Sequence, residues 1–185
     1  MLSDIFVTFQ DMPDKKIGIA LVYSGCKKGA SGNPCPGCHN PWLWSFEPRN
    51  DPKEVRSRHL YHMENSEGLK AIDGIVILGG EPFDQNTDEV VSDIENFRSR
   101  KPELKVVIYT GYEILEQAAG SWLLKNPFSS VWEHPLVQVA DFIKIGPYME
   151  NIPPLKGSSL ASGNQKMYAM TRKNGRVRGK REVFF

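Results

Sequence analysis

The only three cysteines of the chain lie close together, at Cys26, Cys35 and Cys38. Two residues separate the second from the third, so both thiolates can reach one metal centre while Gly37 allows a tight backbone turn. A secreted disulfide scaffold carries an even number of cysteines spread along its chain. The cluster therefore indicates metal ligands in a reducing compartment. A CxxC pair alone fits zinc, an iron–sulfur cluster or a redox dithiol.

The number of thiols does not by itself decide between these kinds of site. A structural zinc ion takes four protein ligands, and His39 or His62 would have to supply the fourth. His39 directly follows Cys38, which makes chelation of the same ion awkward. A four-iron cluster usually takes four cysteines, so three would leave one iron with an open coordination position. From the spacing, iron–sulfur and zinc both stay open, with unligated or redox thiols as the third possibility.

A second group of residues follows an apolar run and reads Gly79-Gly80-Glu81-Pro82. Two successive glycines let a backbone approach a ligand closely. Glu81 adds a carboxylate that could hold a ligand ammonium group, whereas the alternative is a tight turn with a solvated glutamate. A third group, Trp42, Leu43, Trp44 and Phe46, follows the cysteine loop and predicts either an apolar wall around the metal centre or ordinary core packing.

The elements that must position these residues are strands alternating with helices. Apolar runs at 16–23, 73–78 and 104–109 predict buried strands, and 137–145 contains another. An amphipathic helix begins at Thr87 as its N-cap and is stopped by Pro102, and shorter helices are predicted over 53–64 and 114–119. This alternation predicts a mostly parallel sheet whose ligands lie at the carboxyl ends of its strands. The cysteine loop, Gly79–Pro82, Thr110-Gly111 and Gly146-Pro147 should then share one rim.

Length and composition set the outer limits. With 185 residues, 40% hydrophobic and 24% charged, the chain suits a single globular domain over 1–185. It is too short for a complete eight-stranded α/β barrel, which needs about 250 residues. A net charge of +1 argues against a whole-surface binder of nucleic acid or membranes. The chain contains no membrane-spanning apolar run and no basic leader, so a cytoplasmic protein is expected.

The last part of the chain, 165–185, is basic. Gln165 to Met170 predicts a strand, and Asn174-Gly175 is a strong hairpin signal. The hairpin is either a solvated one or a contact surface for an acidic partner or nucleic acid. Its basic residues are Arg172, Lys173, Arg176, Arg178, Lys180 and Arg181.

Taken in order, these motifs resemble the radical S-adenosylmethionine (SAM) superfamily. The chain is most similar to its small members, the anaerobic ribonucleoside-triphosphate reductase activating proteins. The resemblance has two departures: eight residues separate the first two cysteines where the family has fewer, and 160–163 interrupt the last motif. The motifs that carry it are Gly25-Cys26, Cys35 to Pro41, Leu78 to Asp84, Tyr109 to Tyr112, Asp141 to Pro147, Gly157-Ser158-Ser159 and Asn164-Gln165.

The resemblance implies an oxidoreductase with an open partial (β/α)6 barrel of about six parallel strands, fewer than a complete barrel has. It implies a [4Fe-4S] cluster on Cys26, Cys35 and Cys38, with SAM on the open iron. Reductive cleavage of SAM would give a 5′-deoxyadenosyl radical, which takes a hydrogen from a glycine of the anaerobic reductase. A small electron donor such as flavodoxin would reduce the cluster. The SAM contacts carried over by motif position are Gly79, Gly80 and Glu81 at the methionine end, and His39, Thr110, Gly111 and Asp141.

This chemistry requires no side-chain acid or base, so no catalytic role is assigned to His59, His62 or His134, and the first two are expected at the surface. Two other functions stay open. One is a small radical SAM enzyme acting on a nucleotide-like small molecule or a peptide, which the longer cysteine spacing favours slightly. The other is a zinc-stabilised module whose basic tail contacts nucleic acid.

Overall fold

Seven strands form one sheet in the computed structural model, which describes residues 1–113, 130–156, 158 and 160–184. They lie in chain order, and the four central strands, β2 to β5, run parallel. The outer strands β1, β6 and β7 are antiparallel to their neighbours. The strands are β1 (Leu2–Thr8), β2 (Gly18–Tyr23), β3 (Gly74–Gly79), β4 (Lys105–Tyr109), β5 (Phe142–Ile145), β6 (Lys166–Lys173) and β7 (Arg176–Val183).

The sheet is mixed and open. Among the described strands, β1 and β7 each pair with one neighbour only. The expectation of about six parallel strands is thus corrected to four in the described part of the chain, with antiparallel strands at both edges. Each of the four parallel strands overlaps a predicted apolar run, because the strands of a parallel sheet are mostly apolar.

Five α-helices accompany the strands in the described residues: α1 (Lys27–Ala30), α2 (Pro52–Glu64), α3 (Ser66–Ala71), α4 (Thr87–Arg100) and α5 (Pro135–Val139). The predicted helix over 87–101 is confirmed, but its N-cap is Asn86 rather than Thr87. The Asn86 side chain accepts hydrogen bonds from the backbone N–H groups of Asp88 and Glu89, which have no partner within the helix. The helix predicted over 114–119 lies outside the described residues.

The two faces of the sheet are covered unequally. On one face a large apolar core includes Ile94 and Phe97 of α4 and Leu136 of α5. The buried cluster on the other face is much smaller and centres on Met12, Val76, Val107 and Met167. The thin cover on this second face leaves space beside the strand ends.

His59 lies in the core, so the expectation that it is a surface residue is wrong. Its imidazole on α2 is fully buried and packs edge-on against Phe97 of α4, with 5.0 Å between the ring centroids. Its Nε2 lies 3.7 Å from Asp93 Oδ1, and Tyr23 Oη donates a hydrogen bond to the other oxygen of Asp93. His62 is half-buried and His134 is buried.

The C-terminal hairpin is present as predicted. Asn174 and Gly175 both have positive φ angles, of 53° and 75°, as a two-residue hairpin turn requires. One of the basic residues holds the hairpin to the segment before β5: Arg172 donates to the carbonyl oxygens of Ala140 and Gln138. Within the described part of the chain, none of the helices combines the length and apolar character that crossing a bilayer requires.

Candidate functional site

One cleft opens at the carboxyl ends of the parallel strands, where the sequence predicts a shared rim. Its volume is about 320 Å³. Its walls are formed by the cysteine loop, the glycine pair at the end of β3, Thr110-Gly111 after β4 and the turn after β5. The lining residues are Asp11, Cys35, Cys38, His39, Asn40, Leu78, Gly79, Gly80, Tyr109, Thr110, Gly111, Lys144, Gly146, Tyr148, Ala161 and Gln165.

Two of the three thiols face this cleft. Cys35 and Cys38 line it, and a backbone hydrogen bond of 3.1 Å from Cys38 N to Cys35 O closes the turn between them. Cys26 is half-buried where β2 passes into α1. Burial raises the pKa of the Cys26 thiol, and Glu81 and Asp84 raise it further, while backbone N–H groups of Gly29 and Lys28 lower it.

The cysteine loop and the glycine pair pack backbone to backbone. Glu81 N donates to Gly25 O at 2.8 Å, and Gly80 N donates to Tyr23 O at 2.8 Å. A Cβ at Gly80 would overlap the carbonyl of Gly25, and Gly79 has a φ of +127° beside the backbone of Tyr23. The two glycines line the cleft as expected, and they also let the two loops approach each other.

The side chain of Glu81 joins the ends of two neighbouring strands. Its carboxylate is buried and accepts hydrogen bonds from Thr110 Oγ1 at 2.7 Å, Gly111 N at 2.8 Å and Phe83 N at 3.1 Å. Burial raises the pKa of Glu81 to about 7, against the lowering effect of these three donors. The alternative prediction, that Glu81 is a solvated residue of a tight turn, is therefore wrong. Both oxygens have protein partners, so in this structure the Glu81 side chain organises the rim.

Asp141 lies at the opposite end of the strands. It precedes β5, and its backbone N–H donates to Val106 O near the start of β4. Its Oδ2 accepts hydrogen bonds from Arg98 at 2.7 Å and from Val106 N at 2.9 Å. The expectation that Asp141 contacts SAM is thus corrected, because the parallel strands separate it from the cleft and its oxygens bind basic side chains and backbone.

The remaining predicted contacts do reach the cleft. The His39 ring stacks at a tilt on Tyr148, with 4.1 Å between the ring centroids. Thr110 and Gly111 both line the cleft. The hydroxyl group of Thr110 is bound to Glu81 in this structure.

Lys144 is the main cleft residue that the sequence reasoning did not identify. Among the described residues that line the cleft, it is the only lysine or arginine. Its Nζ lies 4.7 Å from the centre of the Tyr109 ring. Burial lowers the pKa of Lys144 to about 8, although Glu81, Asp11 and Cys35 act in the opposite direction. The available signal was a lysine inside the otherwise apolar strand β5.

The eight residues between the first two cysteines form α1 and the turn after it. Lys27 N donates to Asp84 Oδ2 at 2.7 Å, beyond the end of β3. Lys28 Nζ donates to Gly111 O at 3.3 Å, beyond the end of β4, and lies over the Tyr112 ring. The longer spacing therefore builds an ordered element that crosses the rim.

Comparison with known proteins agrees with this site. Residues 17–168, which include all three cysteines and all the turns of the rim, match the 4Fe-4S single cluster domain family. The chain belongs to this family. It is also 25% identical over 160 residues to the anaerobic ribonucleoside-triphosphate reductase-activating protein of Enterobacteria phage T4, covering 83% of this chain and 84% of that protein. No solved structure matches the chain.

The described residues supply a suitable setting for the cluster of a 4Fe-4S family member. Among them, no three histidine, cysteine or acidic side chains are close enough to hold a single metal ion. A four-iron cluster takes each thiolate on a different iron, so its ligands surround it and do not converge on one point. N–H groups also point at the sulfurs: Trp44 Nε1 donates to Cys38 Sγ at 3.5 Å, and backbone N–H groups donate to Cys26. Three thiols, two of which have such donors, fit a cluster of thiolate-bound irons.

Proposed function

We propose that this protein is a radical SAM activase that generates a glycyl radical on an anaerobic ribonucleoside-triphosphate reductase. The observation that carries the proposal is the position of the cysteine loop. Cys35 and Cys38 face a cleft bordered by Gly79 and Gly80, in a chain of the 4Fe-4S family. The partner is inferred from the name of the phage T4 relative.

Cys26, Cys35 and Cys38 would bind three irons of a [4Fe-4S] cluster and leave the fourth open to SAM. A reduced cluster held there would supply the one electron that cleavage of the SAM sulfonium to methionine and a 5′-deoxyadenosyl radical requires. The protein contributes position and exclusion of water. Gly79 and Gly80 let SAM approach the backbone, His39 and Tyr148 form an aromatic side of the cleft, and Glu81 fixes the rim.

The openness of the sheet suits a large substrate. β1 and β7 do not close a barrel in the described part of the chain, and the cleft lies beside the thinly covered face. A loop of a partner protein can therefore approach the strand ends, where α1 and the cysteine loop meet it. We infer that a small one-electron donor such as flavodoxin reduces the cluster.

Anaerobic reconstitution tests the proposal directly. The protein is loaded with iron and sulfide, reduced with dithionite and mixed with SAM, and 5′-deoxyadenosine is measured. Cys35→Ala should lose the cluster and most of the product. Ser31→Ala, an exposed change in the same loop, should keep both. A fully loaded protein that forms no 5′-deoxyadenosine would contradict SAM cleavage.

The partner needs a separate measurement. Addition of the anaerobic reductase to the reduced protein and SAM should produce a glycyl radical that electron paramagnetic resonance (EPR) detects. Formation of 5′-deoxyadenosine without that radical would favour a small radical SAM enzyme acting on a small molecule or peptide. Zinc without iron after anaerobic purification would favour the zinc-stabilised module instead.

A further inference from the structure

The segment between the first two cysteines contacts the third cysteine through one aromatic residue. Gly29 of α1 is buried against the indole of Trp44, and a Cβ at this position would overlap the ring. The two lysines before Gly29 fix α1 to the ends of β3 and β4. Helix α1 therefore offers Trp44 a surface whose position is set by the rim of the sheet.

Trp44 reaches two of the cysteines from this surface. Its indole Nε1 donates to Cys38 Sγ at 3.5 Å, and its backbone carbonyl accepts a hydrogen bond of 3.1 Å from Cys26 N. The side chain is half-buried, so packing on Gly29 restricts the direction of its N–H group. An indole has a single donor and no acceptor, which makes a sulfur atom with negative charge a suitable partner.

We propose that Trp44 is a positioning residue for the iron–sulfur cluster and that α1 fixes its indole for this role. The inference rests on the proposed function in that it requires a cluster on Cys38. A donor to a ligating sulfur stabilises negative charge, and the reduced cluster carries one more electron than the oxidised cluster. The Trp44 N–H group therefore makes the cluster easier to reduce.

A neighbouring tryptophan provides the matched control. Trp42 lies two residues earlier in the same loop, is 53% exposed and stacks on Arg49 at 5.4 Å. Replacing either tryptophan by phenylalanine removes one indole N–H group and keeps an aromatic ring. Only Trp44 donates its N–H group to a cysteine among the described contacts.

The test is an EPR-monitored redox titration of the reconstituted protein in the absence of SAM. For Trp44→Phe we expect a reduction equilibrium about tenfold less favourable, which is a midpoint about 59 mV more negative for one electron. Trp42→Phe should keep the wild-type midpoint. Gly29→Ala should shift the midpoint in the same direction as Trp44→Phe, because its Cβ displaces the indole. Ser31→Ala, an exposed change in the same segment, should keep the wild-type midpoint.

Each result decides the inference. A loaded Trp44→Phe protein with the wild-type midpoint would overturn it, as would equal shifts in the two tryptophan variants. Loss of the cluster from Trp44→Phe alone, with an unchanged melting temperature of the metal-free protein, would support a positioning role. If Trp44→Phe also melts early, the titration of Gly29→Ala decides. The proposed function fails separately, when wild-type protein binds no cluster or cleaves no SAM.

Discussion

The hydroxyl group of Thr110 donates a hydrogen bond of 2.7 Å to the carboxylate of Glu81. Thr110 follows β4 and Glu81 follows β3. The same carboxylate accepts the backbone N–H of Gly111. Two turns that line the cleft are thereby joined through one buried acid. The shape of the cleft thus depends on a polar contact below its surface, and this contact can be examined without any cofactor.

Replacement of Thr110 by valine should weaken the fold as well as the site. The change keeps a β-branched side chain but leaves a buried carboxylate with one donor fewer. A lost partner of a buried polar group costs about 1–3 kcal/mol of unfolding free energy. Urea denaturation of the metal-free protein measures the effect. Thr171→Val, an exposed position on β6, should change stability by less than about 0.5 kcal/mol. Equal effects at the two positions would contradict the importance of the Glu81 contact.

The raised pKa of Glu81 should make the stability of the protein depend on pH. Its pKa is about 7 in the folded protein, against an ordinary value of 4.5. Between these values the folded state keeps a proton that the unfolded state has lost, so unfolding releases a proton and stability falls as the pH rises. The contribution of Glu81 is complete below pH 4.5 and is lost as the pH rises to 7, a loss of about 3 kcal/mol.

Glu81→Gln isolates this contribution, because other groups titrate equally in both proteins. The unfolding free energy of wild type minus that of the variant should decrease from pH 4.5 to pH 7 and then level off. Urea titrations of the metal-free proteins at half-unit pH steps give the curve. A difference that stays flat over this range, or that increases with pH, would show that the carboxylate is ionised throughout.

The parallel centre of the fold and its rim were predictable from local patterns. Apolar runs predict β2 to β5, and small-residue turns at their ends predict the wall of the cleft. The position of Asp141 was not predictable in this way. Asp141 is the first residue of its motif, and the motif also contains the strand. Only the strand register shows that Asp141 precedes β5 and contacts Arg98. Lys144 was missed for a related reason, since the sequence does not say which face of β5 meets open space.

Burial of His59 was equally hidden, because α2 is polar over most of its surface and only one of its two buried residues, Val55, is apolar. The contact that buries His59 comes from α4, which is distant in sequence. Antiparallel β1 also lacks a long apolar run, and two of its apolar residues, Phe6 and Val7, are exposed. Such features depend on which elements pack together, and a single sequence gives little information on that.

The buried imidazole of His59 should be replaceable by leucine without loss of stability. Among the described residues, neither of its ring nitrogens has a hydrogen-bond partner. Burial also lowers the pKa of His59, despite the opposing effect of Asp93, so the ring is favoured in its neutral form. An apolar side chain of similar volume removes the cost of the unpaired nitrogens. At pH 7.5, His59→Leu should match or exceed wild type by about 1 kcal/mol in urea. A loss above about 2 kcal/mol would indicate that His59 has a polar partner.

Lys144 should contribute to SAM affinity through the methionine carboxylate. Its ammonium is the only one from a lysine among the described cleft residues, and the low dielectric there strengthens its attraction for an anion. Lys144→Met keeps the length of the side chain and removes the charge. A lost charge-assisted hydrogen bond corresponds to about tenfold weaker SAM binding to the cluster-loaded protein, measured by equilibrium dialysis.

Two comparisons make the Lys144 prediction specific. Lys53→Met removes an exposed charge on α2 that does not line the cleft, and it should leave SAM binding unchanged. 5′-Methylthioadenosine lacks the amino-acid part of SAM, so wild type and Lys144→Met should bind it equally. Equal losses for both ligands would indicate that the methionine substitution distorts the cleft, because a distorted wall weakens adenosine contacts as well. An unchanged SAM affinity would show that the Lys144 ammonium stays bound to protein groups such as the Tyr109 ring, 4.7 Å from its Nζ.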